Sequence, residues 1–317
     1  MKKIICLITV LSLASFIGTN SKASAQENPF SADTLAPAGL SDLMVDAAQP
    51  DAKIWQPLND KPVKEYTPYY EKRTIILDGN DGTPIQMTYF ILSPTIDTAT
   101  ATPDAGQTPA TTEGETQPPA AGEEEAPDQT KYPLVVLLHG VDGFAEAGYY
   151  LLLESVRKPH PSYVIIPALP RNMRWADPGR LSPTQHAIPQ LIQLVEKIKA
   201  SHPIDPARIY VNGCDMGGIG AFGAAQLYPD TFAAAVPVGA TWSPKETSNM
   251  HKTALAAFHG TNDQMYSHYN SSDTITMSQQ QGGVAYFTLF ENMKHECGSP
   301  SIYTPQFWDW LYSQKKG

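Results

Sequence analysis

The sequence is poor in cysteine and in positive charge. It has 3 cysteines in 317 residues, and 32 aspartates and glutamates outnumber 22 lysines and arginines, which gives a formal net charge of −10. This acidic balance argues against partners such as nucleic acid or an anionic membrane surface. The sequence also lacks metal-ligand spacings and a nucleotide-binding glycine loop, so we expect no metal and no cofactor.

Long apolar runs are also scarce, and a notable one lies at the N-terminus. Residues 4–17 are largely apolar and follow Lys2 and Lys3, but the run is too short to span a bilayer comfortably. Ala-Ser-Ala at residues 23–25 is a small-residue cleavage site. We therefore predict a signal peptide over residues 1–25, a secreted or periplasmic protein, and no membrane span after cleavage. A membrane anchor is the alternative.

Two segments lack the periodicity of helices and strands. Residues 26–66 are rich in Pro, Ala, Asp and Ser, which predicts a flexible lead-in or a segment draped over the body of the domain. Residues 95–130 contain eight acidic residues and no Lys or Arg. Such a composition cannot bury enough apolar surface to offset its ordering entropy, so we predict a disordered acidic insertion within a domain that covers residues 67–317.

The rest of the chain alternates between strand-like and helix-like patterns. Residues 73–77 and 85–92 flank an Asp-Gly-Asn-Asp-Gly turn and predict a hairpin. Residues 134–138 and 163–167 are continuous apolar runs, typical of parallel strands buried on both faces. Further strands are predicted at 209–211, 233–238, 254–258 and 284–290, with helices at 184–200, 220–227, 274–281 and 305–314. The order predicts an α/β protein with a mostly parallel, doubly wound sheet and an antiparallel N-terminal hairpin.

One stretch, residues 208–218, reads as a buried strand, a glycine-flanked turn and a helix. Its turn is Gly-Cys-Asp-Met-Gly, with Asp215 at the apex. This resembles the nucleophile elbow of the α/β-hydrolase fold, which is normally Gly-x-Ser-x-Gly. Asp263 and His295 each follow a later predicted strand, and the order apex, acid, histidine is the order of this fold. Ligands of such sheets sit beyond the carboxyl ends of the strands, so we predict that Asp215, Asp263 and His295 form a catalytic site.

The resemblance extends over residues 70–314. The chain is similar to secreted esterases of the feruloyl esterase, polyhydroxyalkanoate depolymerase and phospholipase/carboxylesterase kind. The similarity lies in the segments at 132–140 (Tyr-Pro-Leu-Val-Val-Leu-Leu-His-Gly), 204–213, 216–218, 228–237 and 258–260. The resemblance implies that Asp263 orients His295, that His295 is the base, and that the backbone N–H groups of Met216 and Val141 form an oxyanion hole. The substrate it implies is a small-molecule or carbohydrate-linked ester.

The same resemblance implies a disulfide. Some feruloyl esterases and tannases join the cysteine beside the nucleophile to one beside the catalytic histidine. The matching residues here are Cys214 and Cys297. Glu296 is a departure, because the family spacing places the second cysteine directly after the histidine.

The aspartate at the apex leaves three readings open. A carboxylate that attacks an ester gives a mixed anhydride, which collapses back because carboxylate leaves more readily than alkoxide. Asp215 can instead attack a saturated carbon, as in haloalkane dehalogenases and epoxide hydrolases, although those place Trp where Met216 stands. Alternatively His295 activates water directly, giving a weak ester hydrolase, or the protein is a pseudo-hydrolase that only binds a ligand.

Four other residues near predicted strand ends belong either to the site or to the structural framework. His139 either belongs to the oxyanion region or ends a strand, and we interpret His259 as structural. Trp175 and Trp242 either stack on a ring of the substrate or pack in the core.

Overall fold

The computed structural model describes residues 28–30, 69–94, 130–143, 145–169, 173–177 and 186–317. The predicted signal peptide lies outside these residues, as does almost all of the predicted lead-in and of the acidic insertion. Within the described part of the chain, none of the helices has the length and apolar character needed to cross a membrane.

Eight strands form one sheet in the order β1-β2-β4-β3-β5-β6-β7-β8. The pairs β1–β2 and β2–β4 are antiparallel, and all other pairs are parallel. The predicted hairpin and the mostly parallel sheet are therefore confirmed. The strands are β1 (Glu71–Asp78), β2 (Pro84–Leu92), β3 (Tyr132–Leu138), β4 (Tyr163–Pro167), β5 (Ile204–Cys214), β6 (Ala234–Val238), β7 (Ala254–Gly260) and β8 (Ala285–Phe290).

Six α-helices accompany the sheet in the described residues: α1 (Ala147–Tyr150), α2 (Glu154–Arg157), α3 (Ile188–Ser201), α4 (Met216–Leu227), α5 (His268–Gln280) and α6 (Pro305–Ser313). A 3₁₀ turn covers Met250–Lys252. Helix α5 begins six residues before the predicted 274, because its first turns are polar and carry no apolar period. Sequence periodicity also missed α1 and α2, which span only four residues each.

Apolar layers cover both faces of the sheet. Alternate residues of one strand feed different layers: Val135 and Leu137 join the layer that contains α6, whereas Leu134, Val136 and Leu138 join the layer that contains α3 and α4. Continuous apolar runs are therefore required in the central strands. Since both faces are covered, the loops at the carboxyl ends of the strands are where ligands bind in sheets of this kind.

A short N-terminal piece of the chain is also part of the core. Phe30 is 1% exposed, and its ring makes edge contacts with Phe258, Tyr286 and Trp310 at centroid distances of 5.2, 5.9 and 5.3 Å. The Asn28 side-chain amide donates to the Phe287 carbonyl at 3.0 Å. Residues 28–30 belong to the segment predicted to be a flexible lead-in or to drape over the body. They attach this part of the chain to β7, β8 and α6, because a buried aromatic ring stabilises the folded state by several kcal/mol.

We expect Phe30→Ala to destabilise the protein by about 3–5 kcal/mol, because it removes a buried ring and leaves a cavity among three aromatic side chains. Urea denaturation of the two proteins measures the difference. Tyr269→Ala is the matched control, since that ring is 67% exposed and its removal should change stability by no more than about 0.5 kcal/mol. Equal losses in the two variants would contradict the role of Phe30.

Candidate active site

The site begins at a sharp turn between β5 and α4. Asp215 has φ 57° and ψ −125°, a backbone conformation that residues with a side chain rarely adopt. Its N–H donates to the Val238 carbonyl at 3.1 Å, and its carbonyl accepts from Ile219 N at 3.0 Å. The turn is thus fixed on both sides, and the hydrogen bonds offset a strain on the order of 1–3 kcal/mol.

Close packing explains the glycine at 217. A Cβ on Gly217 would collide with the Leu138 carbonyl at the end of β3, and a Cβ on Gly213 would collide with the backbone of Gly217. Helix α4 therefore begins directly against β3 and β5. This contact brings the apex of the turn beside the loop that follows β3.

The Asp215 carboxylate points back over the sheet and is 5% exposed as a residue. Its Oδ2 accepts a hydrogen bond from the backbone N–H of Val141 at 2.9 Å. Its Oδ1 is buried and makes no hydrogen bond within the described residues; the nearest ion-pair partner is His295 Nε2 at 3.9 Å. The Val141 amide, which the resemblance assigned to an oxyanion hole, thus binds the apex carboxylate. Met216, the other predicted oxyanion residue, is the first residue of α4.

His295 lies between two carboxylates. Its Nδ1 is 2.8 Å from Asp263 Oδ2, while its Nε2 faces Asp215. The Nδ1 nitrogen carries the proton, because a carboxylate can only accept. The structure thus brings together all three side chains of the predicted catalytic site, from the loops after β5, β7 and β8.

Asp263 is fixed on both of its oxygens. Oδ1 accepts from the backbone N–H groups of Met265 and Tyr266 at 2.7 and 3.1 Å, and Oδ2 faces His295. Although burial opposes the shift, the hydrogen bonds from His295, Tyr266 and Met265 lower the pKa of Asp263. Asp263 is therefore a carboxylate at neutral pH and can orient an imidazole.

Cys214 and Cys297 form a disulfide, as the resemblance implied, with a Cα–Cα distance of 5.5 Å and a sequence separation of 83. Cys214 directly precedes the apex, and Cys297 lies two residues after the histidine. The bond therefore joins the turn to the histidine loop in spite of the inserted Glu296. In the described residues, Cys214, His295 and Cys297 are the one group whose atoms are close enough to hold a metal ion, but both sulfurs are engaged in the disulfide.

The two tryptophans belong to the core. Trp175 and Trp242 are 0% and 1% exposed, so neither ring can stack on a ligand in this conformation. Trp175 Nε1 donates to the His139 carbonyl at 3.0 Å. His139 supports the end of β3: its Nδ1 donates to the Gly140 carbonyl and its Nε2 accepts from Leu169 N. Burial lowers the pKa of His139, which suits this neutral, structural role.

Two residues at the site carried no signal in the sequence. Burial, followed by the carboxylate of Asp215, raises the pKa of Tyr266 to about 12. The Tyr266 ring also lies 5.8 Å from the His295 ring between centroids. Glu146 lies beside Gly298, next to the disulfide: a Cβ on that glycine would lie 3.4 Å from Glu146 Cβ and Cγ. Neither residue is part of a motif or follows a strand directly, so spacing could not have identified them.

No family model matches the chain. The chain is 26% identical over 188 residues to poly(3-hydroxyalkanoate) depolymerase C of Paucimonas lemoignei; the match covers 51% of this chain and 45% of that protein, so it spans less than half the length of this relative.

Solved structures are similar over more of the chain. A thermostable esterase superposes with a TM-score of 0.59 at 22% identity, covering 77% of this chain and 63% of its own. A ferulic acid esterase superposes with a TM-score of 0.52 at 13% identity; the match covers 77% of this chain and 98% of the esterase chain. At these identities the likeness establishes the fold: the chain has the α/β-hydrolase fold that the sequence predicted.

The disulfide gives a first prediction for the site. The double variant Cys214→Ala, Cys297→Ala should lose about 2–4 kcal/mol of unfolding free energy, because the bond restricts a long loop in the unfolded chain. Denaturant titration measures the loss. Reduction should destabilise the natural protein by the same amount and leave the double variant unchanged. A double variant as stable as the oxidised protein would contradict the prediction.

Glu146 gives a second prediction, on pH dependence. Burial, with the carboxylates of Asp142 and Asp215 adding to it, raises the pKa of Glu146 from its ordinary 4.5 to about 7. The folded state therefore holds this proton more tightly than the unfolded state does. The resulting stabilisation is complete below about pH 4.5 and is lost as pH rises through 7.

Glu146→Gln removes this titration. The stability of the variant relative to the natural protein should therefore rise between pH 5 and pH 8, by about 1–3 kcal/mol. Urea unfolding at the two pH values measures it, and the exposed Glu154→Gln is the control. The same pH dependence of stability in all three proteins would show that the pKa of Glu146 is not raised in the folded state.

Proposed function

We propose that this protein is a hydrolase of ester-type substrates in which His295 is the general base, Asp263 orients it, and Asp215 occupies the nucleophile position. One observation carries the proposal: His295 is hydrogen-bonded to Asp263 through Nδ1 while its Nε2 faces the apex of the elbow at 3.9 Å. This is the relation of base, acid and apex on which acyl transfer depends in this fold. The esterases and the depolymerase to which the chain is similar support the reaction class.

The chemistry follows from the apex carboxylate. Attack by Asp215 on an ester carbonyl would give an anhydride whose carboxylate leaves more readily than the alkoxide, so we assign the attack to water. The His295 side chain is 22% exposed, so we assign this water to its Nε2 side, next to the apex. His295 takes a proton from this water as its oxygen attacks the carbonyl carbon, and returns the proton to the departing alkoxide. Asp263 stabilises the imidazolium in between.

The apex carboxylate also limits the rate. Asp215 Oδ2 accepts from the Val141 N–H at 2.9 Å, which is the donor that a substrate carbonyl needs as its oxygen becomes negative. The substrate must therefore compete with a fixed intramolecular carboxylate. We infer slow turnover, with the N–H of Met216 as the second donor of the oxyanion hole.

Asp215→Ser should raise the rate of hydrolysis of short p-nitrophenyl esters by about 10²-fold or more, because it frees the Val141 N–H and supplies a nucleophile that gives a stable acyl-enzyme. Steady-state kinetics on purified residues 26–317 measure kcat/KM. Asp215→Ala is the control, since it frees the N–H without supplying a nucleophile. A Ser variant no more active than the Ala variant would show that the three side chains do not act as a unit.

A second function is favoured by the division of labour between the two oxygens of Asp215. With Oδ2 held by Val141 N, Oδ1 faces His295 without a hydrogen bond within the described residues. Oδ1 is buried in this conformation, so the route requires the site to open toward the substrate. Oδ1 would attack a saturated carbon and expel a halide or open an epoxide. Water activated by His295 would then cleave the alkyl ester of Asp215 at its carboxyl carbon.

Isotope labelling separates these routes. Under single-turnover conditions in H₂¹⁸O, the nucleophile route puts ¹⁸O into Asp215, which mass spectrometry of its peptide detects, whereas direct water attack puts ¹⁸O into the released acid. Esters, an epoxide and a haloalkane are tested in parallel. If the folded natural protein turns over none of them, the hydrolase proposal fails, and the site is that of a ligand-binding pseudo-hydrolase.

The setting of the proposed activity is extracellular or periplasmic. The predicted signal peptide and the Cys214–Cys297 disulfide support export, because disulfides persist in oxidising compartments. The substrate class we propose is a small-molecule or carbohydrate-linked ester.

A further inference from the structure

A second histidine lies on the far side of the Asp263 carboxylate. The side chain of His259, near the end of β7, is fully buried, and its Nε2 is 3.1 Å from Asp263 Oδ2. The same nitrogen is 3.1 Å from the carbonyl oxygen of Tyr266, with hydrogen-bond geometry. Its other nitrogen, Nδ1, is 3.1 Å from Ser271 Oγ, whose hydroxyl donates to the Ala240 carbonyl.

The neighbours of His259 determine where its proton is. A carbonyl oxygen and an ionised carboxylate are both acceptors only, so Nε2 must carry the N–H that lies between them. Burial lowers the pKa of His259, and the Asp263 carboxylate opposes that shift. His268 and His295 are the other titratable groups that face it. In either charge state, His259 presents an N–H edge to the Asp263 turn.

This N–H completes the support of Asp263. The turn from Asp263 to Tyr266 is closed at one end by two backbone N–H groups on Oδ1. His259 closes the other end through the Tyr266 carbonyl and places positive potential beside Oδ2, the oxygen that His295 uses. Gly239 packs beside the Asp263–His295 pair: a Cβ on this glycine would lie 3.3 Å from His295 Nδ1 and 3.5 Å from Asp263 Oδ2.

We propose that His259 is a positioning residue, which sets the geometry and the strength of the Asp263–His295 hydrogen bond by sharing Oδ2 with His295 and by closing the Asp263 turn. The geometric role of His259 is independent of the proposed function, and only the effect of this hydrogen bond on catalysis rests on it. A histidine that merely filled the core would leave the bond unaffected when replaced by another polar residue.

Two variants distinguish these roles. The amide of His259→Gln reaches the place of Nε2 and can still donate toward Tyr266 and Asp263, whereas the amide of His259→Asn reaches only the place of Nδ1, beside Ser271. Both keep a buried polar group, and far-UV circular dichroism checks that both fold. The readout is the downfield proton NMR resonance of the His295 Nδ1–H, assigned by its loss in His295→Gln.

In His259→Asn the resonance should move further downfield, because the positive potential that His259 places beside Oδ2 is then lost and Oδ2 becomes a stronger acceptor for His295. Its disappearance, through release of the Asp263 turn, also supports the proposal. In His259→Gln it should stay near its natural position. An unchanged resonance in His259→Asn would overturn the inference.

Kinetics separate this proposal from the proposed function. Relative to the natural protein, kcat for ester hydrolysis should fall about tenfold in His259→Asn with little change in KM. In His259→Gln most of the natural kcat should be retained. If no variant hydrolyses esters but the resonance still moves, His259 positions Asp263 and the proposed function is wrong. If hydrolysis is normal in His259→Asn and the resonance does not move, the proposed function stands and the positioning role of His259 is wrong.

Discussion

The architecture of the site depends on the strained turn at Asp215. A residue with a side chain is held at φ 57° and ψ −125° because β5 must pass directly into α4, and because Gly217 lets that helix begin against the β3 carbonyl. Hydrogen bonds to Val238 and Ile219 hold the turn in this strained form. As a result the apex side chain is aimed at the histidine loop, and the disulfide fixes the distance between turn and loop.

A serine at this apex would be neutral, and the aspartate changes the electrostatics of the whole site. Its charge is compensated by the Val141 N–H on one oxygen, while the other faces His295. The charge also reaches Glu146, where it adds to burial in raising that pKa to about 7. The same hydrogen bond that stabilises the buried carboxylate occupies a donor that the proposed reaction needs. If the proposed function holds, stability of the apex and speed of ester hydrolysis are in competition at one backbone amide.

Sequence periodicity was sufficient for the sheet, because the buried parallel strands are continuous apolar runs. The convergence of Asp215, Asp263 and His295 could also be predicted, because each lies in the stretch that follows the carboxyl end of a strand. It was insufficient wherever a contact depends on three dimensions. His259 could be read as structural, but not as a neighbour of the Asp263 carboxylate. Phe30 lies in a Pro- and Ala-rich stretch with no period, and only the aromatic cluster around it shows why it is buried. No pattern could show that the Val141 N–H binds the apex carboxylate.

The central claim is that His295, held by Asp263 and facing Asp215, is the base of an ester hydrolase. The most direct test compares the initial rate of p-nitrophenyl acetate hydrolysis by the natural chain with that of His295→Gln, at equal concentration and with folding verified. The account predicts that the rate above the uncatalysed background disappears in His295→Gln. An unchanged rate in that variant would contradict it.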